Sequence, residues 1–155
     1  MPELAKFRDL PISDYRALGQ FRYQIRRFQH FSEAAARAED LEPRQHQMML
    51  AIRAWENADP PTVGELATHL LLKHHSAVGL VDRLAERGLV ERIRSEDDRR
   101  QVRVSLTAQG LRKLKRLASV SREELRTSGP LLVKALDTLL QGLAVDEPVG
   151  NTHQR

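Results

Sequence analysis

The chain has 155 residues, 41% of them hydrophobic and 30% charged, a length and balance that suit one soluble domain with a buried core. It contains no cysteine, which excludes disulfides, thiolate metal ligands, cysteine nucleophiles and thiol redox sensing. The formal net charge of +4 leans toward a polyanionic partner, a bias whose weight depends on where the charge sits.

From Ser13 onward the positions Leu18, Phe21, Ile25, Phe28, Ser32 and Ala35 fall three and four apart, one stripe along a long helix. Ser13 and Asp14 suit its start, and residues 40–42 end it. Pro43 fits the first position of a second helix, which carries Met48, Met49, Ile52 and Trp55 and stops at the turn-forming run 57–61. Thr62 and Glu65 have the spacing of a capping box, and the short helix they open buries Leu66, Ala67 and Leu70. A polar break at residues 73–76 precedes another helix with Ala77, Val78, Val81, Leu84 and Ala85 inward. Gly88 ends it in the left-handed conformation, with Leu89 covering the last turn.

The period then changes to two. Val90, Arg92 and Arg94 alternate with Glu91 and Ile93, and Val102, Val104 and Leu106 alternate with Arg103 and Ser105. This is the pattern of a β-hairpin around a charged turn at residues 95–101. Thr107 can cap a helix with the stripe Leu111, Leu114, Ala118, Ser121 and Leu125. Gly129 and Pro130 predict a break, and Leu132, Leu136, Leu139 and Leu143 a last helix. Residues 146–155 have no pattern and are expected to be disordered. No run reaches the length of a membrane span and the first ten residues lack the apolar core of a secretory leader, so the expected location is the cytoplasm.

The middle third therefore reads helix, short helix, second helix, hairpin, the order of a winged helix-turn-helix whose second helix enters the major groove. The fold class is mainly α with one small hairpin. Between positions 73 and 116 there are twelve basic and six acidic residues. That excess is larger than the whole chain's, so the positive charge is concentrated where a phosphate-binding surface is expected.

The run Leu80-Val81-Asp82-Arg83-Leu84-Ala85-Glu86-Arg87-Gly88-Leu89-Val90, followed by Asp98-Arg99-Arg100 and by Val104-Ser105-Leu106-Thr107-Ala108-Gln109-Gly110, resembles the MarR family of winged-helix regulators. Leu41-Glu42-Pro43-Arg44-Gln45 is similar to that family's entry into the second helix, although Glu42 stands where the family often has threonine. The resemblance covers roughly residues 21–125. It implies an obligate homodimer that reads a pseudo-palindromic double-stranded operator. The dimerisation helices are about 13–39 and 108–145, and the winged-helix lobe is about 43–107. It also implies a repressor released by a small aromatic or anionic ligand held between the dimer helices and the lobe. Independently of the family, the apolar stripes of the first and last helices exceed what a small core can cover, and a partner chain is their natural cover.

Within that frame Lys73, His74, His75 and Ser76 start the recognition helix, where backbone N–H groups and short polar side chains can face phosphate or base edges. The same residues would also suit a plain solvated helix end. His74 and His75 lie about 100° apart around a helix, so they cannot share one base step. Gly79, one turn on, either lets the helix approach DNA closely or is a mere weak spot. The resemblance has Arg83 reach the phosphate backbone or tie the helix to the wing, with Asp82 holding a neighbouring basic group; an exposed ion pair is the alternative. It places Arg100 at the wing tip, inserting into a narrow minor groove, with Asp98 orienting it and Arg99 and Arg94 adding phosphate contacts. Phe28, Phe31, His46 and Met49 come from the helices that line family ligand pockets, and His30 could join them; at helical spacing they equally suit a core.

Catalytic and metal readings fail on spacing. His69, His74 and His75 lack the i, i+4 pair that puts two imidazoles on one face, and no Gly-rich phosphate loop or Ser-His-Asp pattern occurs. No enzyme activity, metal or cofactor is expected. The competing function is a non-specific DNA-binding architectural or protein-interaction module on the same fold, since fold alone does not decide between them.

Overall fold

The computed structural model describes residues 9–94 and 101–145. The sequence expectations for Asp98, Arg99, Arg100 and the tail at 146–155 therefore lie outside the described residues. Seven elements follow in order: α1 (Ile12–Ala38), α2 (Pro43–Arg53), α3 (Val63–His69), α4 (His74–Glu86), β1 (Val90–Arg94), β2 (Val102–Leu106) and α5 (Ala108–Val145). The strands pair antiparallel, with Val90 opposite Leu106 and Arg94 opposite Val102. Two units divide the chain, one formed by Phe31–Arg122 and the other by the segments before and after it. Among the described residues no helix is long and apolar enough to cross a membrane.

The middle unit is the lobe. Its core joins Leu41 and Met48, Met49 and Ile52 of α2 to Leu66 of α3, Leu80, Val81 and Leu84 of α4, Val104 of β2, and Leu114 and Leu117 of α5. Local chemistry places each element. Thr62 caps α3 by accepting the Glu65 N–H at 3.2 Å, while the Glu65 carboxylate accepts the Thr62 N–H at 2.7 Å, the reciprocal bonding its spacing predicts. Those bonds to Thr62 hold the Glu65 carboxyl below its ordinary pKa. Gln45 is buried, and its side-chain oxygen accepts from the Glu42 N–H at 3.0 Å and from Arg87 at 3.3 Å, which ties the start of α2 to the end of α4.

The junction of hairpin and α5 is a close one. Gly88 has φ +68°, as a helix-ending glycine should. The Thr107 hydroxyl donates to the Gly88 carbonyl at 2.6 Å and accepts the Gly110 N–H at 3.0 Å. A Cβ on Gly110 would lie 2.0 Å from the Leu89 carbonyl oxygen, so only glycine lets α5 start this close to the hairpin. The run Pro60–Thr62 edges the sheet too: Thr62 bridges Arg103, and the Val104 N–H donates to the Pro61 carbonyl at 2.9 Å.

Four local readings differ from the sequence expectation. The polar break expected at 73–76 is instead a turn at 70–73, and α4 already begins at His74. Leu71 there has φ 54°, and the Leu72 N–H returns to the Ala67 carbonyl at 2.8 Å, a left-handed helix ending made with leucine in place of glycine. Trp55 lies just beyond α2, whose last residue is Arg53, and its ring meets His69 edge-on at 5.9 Å between centroids. On α5 the buried position is Leu117, whereas Ala118 is exposed. Finally, α5 runs unbroken through Gly129 and Pro130. Proline removes one ladder donor, but Pro130 and Arg126, whose carbonyl loses that bond, are both exposed, where water can take its place.

In the second unit the first part of α1 and the last part of α5 form an antiparallel pair. Ala17 and Gln20 share a cleft of about 280 Å³ with Leu131 and Ala135. Large apolar side chains on this pair remain uncovered, among them Leu18, Leu125, Leu131, Leu136 and Leu140 at 39–53% exposure.

Candidate nucleic-acid interface

Among the described residues, the expected DNA-contacting positions lie at the start of α4, along it and on β1 of the hairpin. Ala77, Leu80, Val81 and Leu84 bury one stripe of α4 in the lobe, which leaves the opposite stripe and the whole first turn outward. Lys73 is the residue before the helix, in extended conformation at φ −67° and ψ 145°, and its side chain makes no capping hydrogen bond. Lys73, His74 and His75 are exposed and Ser76 is half-buried. Their backbone N–H groups include the unpaired donors that every helix start presents.

Gly79 and Arg83 form a second feature. A Cβ placed on Gly79 would lie 3.5 Å from an Arg83 guanidinium nitrogen, an ordinary contact that a methyl group could make. The Arg83 side chain therefore lies back along α4 over Gly79, in the direction helical side chains lean, and its charge is exposed beside the first turns of the helix.

The tie between helix and wing runs through Asp82 and Arg92. The Arg92 guanidinium donates to the Asp82 carboxylate, with both side chains partly exposed. Arg92 was not among the residues singled out from the sequence. The signal was there in the strand alternation: Val90 is buried against the lobe, and a residue two positions on points to the same side, facing α4. Arg94 is the last described residue of β1, exposed, on that same alternation.

Arg103 was also missed, and it has a structural task. It donates to the Pro60 carbonyl at 2.6 Å and lies 3.7 Å from the Asp59 carboxylate, which fixes the loop before α3 to strand β2 of the wing. A cleft of about 430 Å³ opens between Gly64, the His74 and Val78 side of α4, and Arg92 and Val102 of the hairpin.

The four residues expected at a ligand pocket are distributed differently. Met49 is fully buried in the lobe core, His46 is buried at 7% exposure, and Phe28 and Phe31 are half-buried on α1. Burial holds the His46 imidazole below its ordinary pKa, because desolvation penalises the charged form.

A helix-turn-helix followed by a two-stranded wing, on a frame of long helices, defines the winged-helix class. A MarR family model matches residues 39–101. An uncharacterised HTH-type transcriptional regulator of Bacillus subtilis, YsmB, is 35% identical over 65 residues, which are 42% of this chain and 44% of that protein, so the match spans less than half of the relative's length. Among solved structures, AbsC, a MarR family transcriptional regulator from Streptomyces coelicolor, is similar with a TM-score of 0.70 and 21% identity over 90% of this chain and 97% of that one. The transcriptional repressor CouR, solved bound to a 23-mer DNA duplex, is similar with a TM-score of 0.63 and 27% identity over 91% and 98%. The winged-helix lobe is thus similar to the MarR family over residues 39–101, and the chain shares its fold with the solved MarR family regulator AbsC.

Proposed function

We propose that this protein is a homodimeric, sequence-specific double-stranded-DNA-binding regulator of transcription, acting in the cytoplasm as a repressor that a small aromatic or anionic ligand releases. The observation that carries the reading is the lobe surface on which an open, basic helix start and an arginine-bearing hairpin are fastened together by Asp82 and Arg92. In this reading α4 enters the major groove, with Lys73, His74, His75 and Ser76 at phosphate and base edges and Gly79 allowing close approach. Arg83, Arg94 and Arg99 neutralise phosphates, and Arg100, oriented by Asp98, enters the minor groove. The solved CouR complex with a duplex supports DNA as the partner.

One feature supports the second subunit. Exposed leucines cluster on the pair formed by α1 and α5, more than a solvated helix pair carries at no cost. For the effector, Phe28, Phe31, His46 and Met49 are the proposed contacts.

Selection of bound duplexes from a random pool, repeated with aromatic acids present, tests the reading. The expected result is one enriched pseudo-palindrome bound by a dimer, with occupancy lowered by a ligand. A specificity ratio near one against random duplex would replace it by the non-specific architectural module, and a stable monomer in solution would overturn it.

A further inference from the structure

We infer that α1 carries a second nucleic-acid-binding face, separate from the α4 and hairpin surface, that takes the phosphate backbone without reading sequence. Between Tyr15 and Phe31 there is no acidic residue, while Arg16, Arg22, Arg26 and Arg27 all occur. At 100° per residue, Tyr15, Arg16, Arg22, Tyr23, Arg26, Arg27 and His30 fall within an arc of about 140°, opposite the sector of Ala17, Gln24 and Phe28 that α1 turns inward. Every one of those seven side chains is exposed. Gly19 falls in the middle of the arc, and a Cβ there would meet nothing within 4 Å, so the face is open at its centre.

This is not the pattern of an ordinary solvated helix. Such faces intersperse the two signs, and like charges at i, i+4 destabilise a helix. Here Arg22 and Arg26 stand at that spacing. The next acid on that side is Glu33, which pairs with Arg37 at 3.3 Å and not with the face. The repulsion is relieved by an external anion.

The composition favours phosphate. All four cations are arginine, whose planar fork meets phosphate oxygens in pairs. The i, i+4 repeat places charges about 6 Å apart along the helix, close to two phosphate steps of about 3.4 Å on one strand. Tyr15 and Tyr23, at 58% and 48% exposure, bring hydroxyl donors between the arginines, and Arg27 already lies 6.0 Å over the Tyr23 ring. A membrane surface fits poorly: apart from Ile12 at its start, the face has no aliphatic side chain to insert. An acidic protein segment is the other polyanion that the test separates.

The inference rests on the proposed function only for its choice of polyanion, and the full-length protein tests the two separately. Replacing Arg16, Arg22, Arg26 and Arg27 by Gln, with the pair Arg22→Gln and Arg26→Gln as the milder variant, leaves the lobe intact. Binding to a random duplex of about 40 base pairs is followed between about 50 and 200 mM salt. The expected result is about tenfold weaker binding at low salt and a salt slope shallower by about 0.9 for every phosphate that is no longer neutralised, two or more in all. In a protein disabled at the lobe by Lys73→Gln and Arg94→Gln, residual salt-sensitive duplex binding is expected to persist and to vanish on adding the α1 substitutions. An unchanged slope and affinity in both α1 variants would overturn this inference while leaving the regulator reading in place. So would variants that lose only binding to polyglutamate, which would assign the face to an acidic protein. If the parent protein binds no duplex at all, the regulator reading falls, and this one with it.

Discussion

Asp82 on α4 and Arg92 on β1 are bonded side chain to side chain, so the helix proposed to read the major groove and the hairpin beside it share one electrostatic fastening. Asp82 also neutralises Arg92, which leaves Arg83 and Arg94 as the outward cations on either side of the pair. The pair is partly exposed, 38% for Arg92 and 47% for Asp82, and solvent screens it.

Asp82→Asn is therefore expected to cost the fold little, under about 1 kcal/mol, while loosening the wing. Urea unfolding should show a nearly unchanged midpoint. Duplex titration should show affinity reduced across all sequences alike, since the residue positions cations and reads no base. A double-mutant cycle with Arg92→Gln checks the origin: if the two substitutions add in duplex binding, the fastening is not what Asp82 contributes.

Gly110→Ala tests the junction between hairpin and α5. The new methyl would meet the Leu89 carbonyl, a backbone atom that cannot swing away. A loss of about 2–3 kcal/mol is expected from such overpacking, read as a lower urea midpoint with the slope unchanged. Gly129→Ala is the control, because a Cβ there meets nothing and alanine favours the helix. Equal effects of the two would contradict the close approach described.

Leu71 holds a left-handed backbone at 93% exposure, so its side chain returns almost no burial for the strain. Leu71→Gly should remove about 1–2 kcal/mol of strain and lose about 0.4–1 to the freer unfolded chain. The net expectation is a variant more stable by about 0.5 kcal/mol, seen as a higher melting temperature. A lower one would show that Leu71 is held by contacts.

His46 makes stability depend on pH. Burial holds its pKa below the ordinary value of about 6.5, so the unfolded chain takes up the proton first. The stability from the neutral buried imidazole is fully present above about pH 6.5 and falls as the pH drops through that value toward the depressed folded pKa. Denaturation at about pH 7.5 and 5.5 should show a loss that His46→Gln reduces. The Glu39 carboxyl, lowered mainly by its hydrogen bond to Arg116, titrates further to the acid side and does not enter this window. Equal pH sensitivity in both proteins would rule out His46 as the source.

Much of the lobe was legible in the sequence because its signals are local. The Thr62 and Glu65 cap, the Gly88 helix end, the change of period at Val90 and the Thr107 cap each depend on residues within a few positions, and the structure has all of them. The misreadings came from context. Pro130 predicts a break wherever its neighbours are unknown, yet on the exposed side of a long helix one missing donor is tolerated. A stripe drawn through Ala118 follows four-residue steps, whereas the core takes Leu114 and Leu117. The requirement for glycine at 110 could not be read locally, since the atom that excludes a side chain belongs to Leu89, some twenty positions earlier. Of the candidate interface, the polar run at 73–76 was legible but the helix start within it was not; Arg92 and Arg103 acquire their tasks only once the strands are laid against α4 and the loop before α3.

Trp55 is the only tryptophan in the chain, and its indole stands against His69 with a buried N–H that meets no acceptor among the described residues. The same ring borders a cleft that Pro61 and Leu106 also line, so it faces a space shared with the loop that enters the helix-turn-helix and the strand that carries the wing. The protein thus comes with a built-in optical gauge: its emission wavelength and quenching should track any shift of wing against helices, without a label.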